Sequence, residues 1–207
     1  GTVLQPFTVQ QEDPFGTKPL PTPSSCGAFP ANQPSDVITV DNPTGTRCFN
    51  STMDIKGDVT LASGTYILNG VDFTQTNSNA KLTCLECTFV LMNDSGGSVG
   101  TVNLNGGKVT LSSPTSGTYK GMLFYQSRTA AADNNVTING NASSSIEGAL
   151  YFPKADLTFN GTAGMTTACM QIVAKDVTFT GNSSINNTCP SGGGSHSFDG
   201  KKVRLVA

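Results

Sequence analysis

Charge is what this sequence has least of. Only 13% of its 207 residues are Asp, Glu, Lys or Arg, about half the usual share. A net charge of −2 gives no sign of attraction to nucleic acid or to an anionic membrane surface, and it sets those classes aside. Long apolar runs are also missing. Nothing approaches the roughly 20 residues a helix needs to cross a bilayer, and Gly1-Thr2-Val3 is not a signal peptide. The chain reads as a mature or truncated ectodomain. There is one histidine, His196, beside a Gly-rich stretch, so Cys84-Leu85-Glu86-Cys87 has no second ligand pair with which to hold zinc. A redox reading of the same four residues wants a helix N-terminus in a βαβ context, and none is visible.

Paired acids are lacking as well. The 14 acids are scattered, with no Asp-Asp pair and no Gly-His-Gly. A polysaccharide hydrolase needs two convergent carboxylates, and a lyase needs a base beside a Ca²⁺ cluster. Asp54, Asp58 and Asp72 come closest, and Asp54 and Asp72 are expected to stack on neighbouring coils as solvated turn residues. Asp156 and Asp176 read as exposed turn partners of Lys154 and Lys175. The expectation is a non-enzyme with no catalytic residue, no metal and no cofactor.

What is present is a repeat. Val136-Thr137-Ile138, Leu157-Thr158-Phe159 and Val177-Thr178-Phe179 start 21 and then 20 residues apart, followed by Asn139-Gly140, Asn160-Gly161 and Thr180-Gly181. Short strands and turns at a fixed period describe a parallel β-helix, each period forming one coil stacked on the last. Residues one and three of each triplet point inward and the middle Thr outward.

Tracing backward adds Met53-Asp54-Ile55, Val71-Asp72-Phe73 and Val102-Asn103-Leu104 to this column. A second column holds Val59-Thr60-Leu61, Lys81-Leu82-Thr83, Val109-Thr110-Leu111 and Ser144-Ser145-Ile146. The third, most apolar column holds Tyr66-Ile67-Leu68, Phe89-Val90-Leu91, Met122-Leu123-Phe124-Tyr125, Ala149-Leu150-Tyr151-Phe152 and Met170-Gln171-Ile172-Val173. Three columns predict an all-β, three-sided solenoid, right-handed because parallel crossovers nearly always are. Excess length at 93–100, 112–119 and 126–135 marks the projecting loops.

Eight of the 11 prolines fall before residue 45, so 1–50 reads as an extended Pro-rich arm tethered to the first coil, with one strand candidate at Val37-Ile38-Thr39-Val40. The β-helix proper takes 51–190. A Gly-rich joint at 191–195 and a capping strand, Val203-Arg204-Leu205-Val206, complete the domain to 207 and cover an edge that would otherwise aggregate.

Six cysteines imply three disulfides and an oxidising compartment. Proximity favours Cys26–Cys48, Cys84–Cys87 and Cys169–Cys189 among 15 pairings. Asn105, Asn139 and Asn160 are expected to form a side-chain ladder, with the following Gly106, Gly140 and Gly161 at positive φ to turn the corner. Aligning Gly121-Met122-Leu123-Phe124-Tyr125 with Gly148-Ala149-Leu150-Tyr151-Phe152 puts Leu123, Tyr125, Leu150, Phe152, Met170 and Ile172 inside. It puts Phe124 and Tyr151 outside, as a candidate contact patch. Cover within the chain, by the arm or by the loop 126–135, is the alternative that a long uncharged arm favours.

Ser63-Gly64-Thr65-Tyr66-Ile67, Gly121-Met122-Leu123-Phe124-Tyr125-Gln126, Glu147-Gly148-Ala149-Leu150-Tyr151-Phe152-Pro153, Cys169-Met170-Gln171-Ile172-Val173-Ala174 and Val177-Thr178-Phe179-Thr180-Gly181-Asn182-Ser183 occur in this order. Together with the Pro-rich lead-in to Cys26 and the terminal Val203-Arg204-Leu205-Val206, they resemble the C-terminal region of TadG-like proteins of the bacterial Flp/Tad (tight adherence) pilus-assembly system. The resemblance covers nearly the whole chain. It departs at Ala168, where a Gly often precedes the cysteine, and in lacking the N-terminal membrane anchor expected of the full-length parent. It implies an extracytoplasmic protein of the periplasm, cell surface or pilus, with a structural or adhesive role and with pilus or envelope proteins as partners. It supplies no catalytic residue. The alternatives are a polysaccharide-active or glycan-binding β-helix, with surface glycan as the partner, and an ice-binding-like surface on stacked Thr137, Thr158 and Thr178.

Overall fold

The computed structural model describes residues 13–130, 134–141, 143–161 and 165–181. The Gly-rich joint, the expected capping strand, His196 and Cys189 lie outside these residues. Among the described residues all regular structure is β, in 14 strands. They are β1 (Val37–Val40), β2 (Thr46–Phe49), β3 (Met53–Asp54), β4 (Asp58–Leu61), β5 (Gly64–Asn69), β6 (Phe73–Gln75) and β7 (Lys81–Cys84). They continue as β8 (Cys87–Met92), β9 (Val102–Leu104), β10 (Lys108–Ser112), β11 (Met122–Gln126), β12 (Asn134–Gly140), β13 (Ser145–Gly161) and β14 (Thr166–Gly181).

Every strand pairs in parallel with a strand of an adjacent coil, and those of the inner coils pair on both sides, giving a β-solenoid of about six turns. The pairings fall into three series. A hydroxyl ladder runs β1-β4-β7-β10, an aromatic ladder β2-β5-β8-β11, and a triplet ladder β3-β6-β9-β12. In the fifth and sixth coils β13 and β14 run through all three ladders as single strands. The solenoid therefore begins inside the segment that reads as an arm, because β1 and β2 already pair with β4 and β5.

The triplet alignment holds in the late coils, where Val136, Leu157 and Val177 are in register, as are Ile138, Phe159 and Phe179. Two early assignments are corrected. The triplet on the second coil is Phe73-Thr74-Gln75, since Met53 pairs with Phe73 and Gln75 with Leu104. A slip of two residues keeps the same face inward, so hydrophobicity alone does not detect it. In the hydroxyl ladder Val59 pairs with Leu82 and Leu61 with Cys84, so Leu82-Thr83-Cys84 replaces Lys81-Leu82-Thr83.

The core inside the coils is organised by rings. Phe29, Phe49, Tyr66, Phe89, Phe124 and Phe152 follow one another along the stack with centroids 5.2, 6.2, 5.8, 5.2 and 5.6 Å apart. Such pairs contribute about 0.5–1.5 kcal/mol each beyond their area. Two glutamines share this interior. Gln75 donates from Nε2 to the Gly106 and Lys108 carbonyls at 2.8 and 3.1 Å, and Gln126 accepts from the Lys154 N–H at 3.0 Å. Each reaches a corner of the following coil, where the backbone leaves the ladder and needs a partner.

Phe124 belongs to this spine, which corrects its outward assignment. The register of β11 against β13 shifts between Met122 and Phe124, pairing Phe124 with Leu150 and Tyr125 with Tyr151. Leu123 is the extra residue of a β-bulge, and a single extra residue inverts every side chain after it. Phe124 turns inward with 0% exposure, and Tyr125, expected inside, turns outward. Buried Thr88 donates its hydroxyl to the Met122 carbonyl at 2.7 Å, next to the bulge where the ladder is interrupted.

The asparagine ladder is present in part. Asn139 donates its side-chain amide to Asn105 Oδ1 and pairs in register with Asn160. The glycine expectation is corrected: Gly106, Gly140 and Gly161 are not among the positive-φ residues, which at these corners are Gly107 (φ 64°) and Gly181 (φ 77°). Gly140 and Gly161 continue their strands. At Gly106 it is space that requires glycine, because a Cβ there would lie 2.6 Å from the Thr76 carbonyl.

Candidate functional site

The most elaborate side-chain constellation lies on the outside of the aromatic ladder. Alternation along the strands places Cys48, Ile67, Val90, Tyr125, Tyr151 and Val173 in one outward rank. An exposed apolar rank of this length would be an aggregation hazard or a contact surface. Here the N-terminal arm covers it, and Tyr151 keeps only 1% exposure.

The Tyr125 and Tyr151 rings stack at 5.4 Å with 23° between planes, as directly paired side chains on a parallel ladder can. Phe15 of the arm packs edge-on against Tyr151 at 5.3 Å and 77°. The Arg128 guanidinium, from the loop after β11, stands 5.7 Å from both tyrosine ring centres, within cation–π range. Three phenol hydroxyls then meet acceptors on the arm. Tyr151 donates to Asp13 Oδ2 at 2.6 Å, Tyr125 to the Lys18 carbonyl at 2.6 Å, and Tyr119 to the Pro19 carbonyl at 2.9 Å. Arg128 donates to Asp13 Oδ2 at 3.1 Å and to the Phe15 carbonyl, and Lys18 Nζ donates to the Thr118 carbonyl at 2.7 Å.

The titration of these groups follows from the geometry. Burial alone would raise the Asp13 carboxyl, but hydrogen bonds from Tyr151, the Phe15 N–H and Arg128 outweigh it and hold the group below its ordinary 3.8. Burial pushes the Tyr119 hydroxyl up to about 12. Burial also raises Tyr151, and there the hydrogen bond to Asp13 and its negative charge add to the shift. At neutral pH the seat therefore holds neutral phenols, one carboxylate and one guanidinium.

The disulfides Cys26–Cys48 and Cys84–Cys87 are formed, with Cα atoms 4.4 and 5.8 Å apart. Cys169 is also disulfide-bonded, and its expected partner Cys189 lies outside the described residues. Cys26–Cys48 ties the foot of the arm to the first coil. Cys84–Cys87 closes the turn between the hydroxyl and aromatic ladders, where Glu86 takes a left-handed φ of 57°. The two observed pairs are compatible with an oxidising compartment.

Asp54 and Asp72 do not stack on each other, because the two-residue slip sets Thr74 opposite Asp54. Asp54 accepts from the Thr74 hydroxyl at 2.9 Å and pairs with Lys56 at 3.2 Å. Asp72 accepts from the Thr101 N–H and hydroxyl at 2.8 and 3.2 Å. Lys175 does approach Asp156, at 3.7 Å, but it belongs to the next coil.

Thr137, Thr158 and Thr178 align as read, but their rank continues into Asn103, Thr74 and Asp54. A longer one went unread. Thr39, Thr60, Thr83, Thr110 and Ser145 occupy successive outward positions of the hydroxyl ladder. Reading this rank needed the correct phase of Lys81-Leu82-Thr83-Cys84.

Sequence reasoning also missed Asp13, Phe15, Tyr119, Tyr125 and Arg128 as a group. One available signal was an arginine in the otherwise nearly uncharged loop 126–135. Comparison with family models, with curated proteins and with solved structures returns no match.

Proposed function

We propose that this chain is a non-enzymatic ectodomain of a Tad-type pilus system, located in the periplasm, at the cell surface or on the pilus, with a structural or adhesive role. One observation carries the reading: the three aspartates that come closest to a catalytic cluster are each committed to a partner on a neighbouring coil. Asp54, Asp72 and Asp58 each hold a partner one coil on, the last through Lys81 at 3.1 Å. A hydrolase would instead leave two carboxylates convergent and free to face a substrate. Disulfides and uniform packing suit a rigid exported module. The anchor expected in the full-length parent would supply the attachment to the envelope.

The test is a pull-down of the intact parent from cell envelopes, in which pilus or envelope components should co-purify. Release of reducing or unsaturated ends from pectins or alginates by the wild-type chain, abolished by changing Asp54 and Asp72, would overturn the reading. A second reading, a binder of surface glycan, draws support from the hydroxyl rank, whose members repeat at about 4.8 Å, the spacing of paired strands. Retardation on glycan affinity gels, lost in Thr60→Val with Thr83→Val, is its readout.

A further inference from the structure

We infer that the tyrosine-lined face of the aromatic ladder is a recognition groove for the proline-containing turn at residues 13–19, and that it accepts this turn from a second copy of the chain as well as from its own. The groove's chemistry is displayed by its occupant. Aromatic rings beside phenol donors aimed at main-chain carbonyls are the means by which proline-rich segments are held elsewhere in proteins. Here Phe15 fills the apolar position, the Lys18 and Pro19 carbonyls take two phenol hydroxyls, and the Asp13 carboxylate takes the third together with Arg128. Nothing in this set depends on the two partners belonging to one chain.

The connection permits exchange. Among the described residues, 20–25 make no hydrogen bond to the solenoid, and Pro21 and Pro23 keep the segment extended in either arrangement. Cys26–Cys48 fixes the point beyond which the arm cannot be withdrawn. From that bridge on the first coil to Tyr125 on the fourth is a climb of three coil spacings, about 14 Å. The eight residue steps from Lys18 to Cys26 span about 25 Å when extended. The surplus allows about 20 Å of sideways reach, and facing sheets pack only about 10 Å apart. Reciprocal exchange between two copies closes a symmetric dimer in which every arm contact is kept.

The experiment shortens the link so that an arm cannot reach its own groove. Deleting residues 20–24 leaves three steps, at most about 11 Å. By analytical ultracentrifugation the shortened chain should sediment at twice its monomer mass, the full chain being 21.4 kDa. It should return to monomer when Asp13→Ala and Phe15→Ala are added. A second arm uses full-length chains, each with a point-altered site and an intact fold. Asp13→Ala with Phe15→Ala offers a groove but no ligand, and Arg128→Ala with Tyr151→Phe offers a ligand but no groove. Mixed, they should form a 1:1 complex that neither forms alone. A folded shortened chain that stays monomeric, or a mixture with no complex, overturns the inference. If the shortened chain does not fold, the mixture decides.

Discussion

Replacing Phe124 with alanine tests the bulge that sets the phase of the aromatic ladder. The ring has no exposure and lies 5.2, 5.6 and 6.0 Å from the rings of Phe89, Phe152 and Phe73. Coils above and below are held at ladder spacing by backbone hydrogen bonds, so the space left behind cannot collapse. Buried Phe→Ala changes cost about 3–5 kcal/mol. Loss of three ring contacts, each about 0.5–1.5 kcal/mol, places this one near the upper end, about 4–5 kcal/mol. That is about a quarter or more of a stability of about 5–15 kcal/mol. The matched control is Tyr125→Phe, which keeps the outward ring and loses only the hydrogen bond to the Lys18 carbonyl, about 1 kcal/mol. Urea titrations followed by far-UV circular dichroism give both numbers. With no Trp and four Tyr, tyrosine emission reports mainly on the arm seat, where three of the four sit. A Phe124→Ala cost below about 1.5 kcal/mol, the size of one ordinary hydrogen bond, or a larger cost for Tyr125→Phe, would refute the inward placement.

Acid should release the arm before it unfolds the coils. The depressed Asp13 carboxyl stabilises docking above its ordinary value of 3.8, and that contribution is lost as pH falls through the lowered value. Tyrosine emission should change while circular dichroism holds, and Asp13→Asn should remove the transition. At the alkaline end the raised Tyr119 contributes stability that is complete below pH 10 and lost as pH rises toward about 12, so Tyr119→Phe should lessen the fall in urea stability across that window, the other raised tyrosines keeping the rest. The two observed disulfides should differ in worth. Cys26–Cys48 spans 22 residues and Cys84–Cys87 only 3, so loop entropy gives about 3 against about 2 kcal/mol. Paired Cys→Ser variants compared by urea midpoint check this, and a larger loss at Cys84–Cys87 would contradict the entropic account.

Periodicity made the solenoid legible wherever a β-branched or aromatic pair flanks one polar residue. Val136-Thr137-Ile138 and its two successors needed nothing more than alternation. The misreadings have two physical sources. Gln75 stands where later coils carry Leu104, Ile138 and Phe159, so an interior position looked exterior and the triplet slid to Val71. At Met122-Leu123-Phe124-Tyr125 all four residues are apolar, and nothing in such a run marks which is the bulge. The arm's seat was unreadable for another reason: Asp13 and Tyr151 are 138 residues apart, and no periodic signal links an irregular segment to the ladder it covers. That some part of the chain had to cover the outward rank was nonetheless deducible from its apolar composition.

In a solenoid each coil rests on its neighbours alone, so structure can grow or fray one coil at a time from either end. The arm breaks that rule by joining the first coil, through Cys48, to the fifth, through Tyr151. Opening from the far end must therefore undo the arm's contacts before it can pass the fifth coil, which couples coils that do not touch. The same link orders assembly in time. Residues 13–19 are made before any of the described strands, yet their seat does not exist until β13 has paired with β11. The loop so closed is among the longest the chain makes, and its entropy must be overcome before its contacts contribute. A segment made ahead of the coils is then seated only after five of them have formed.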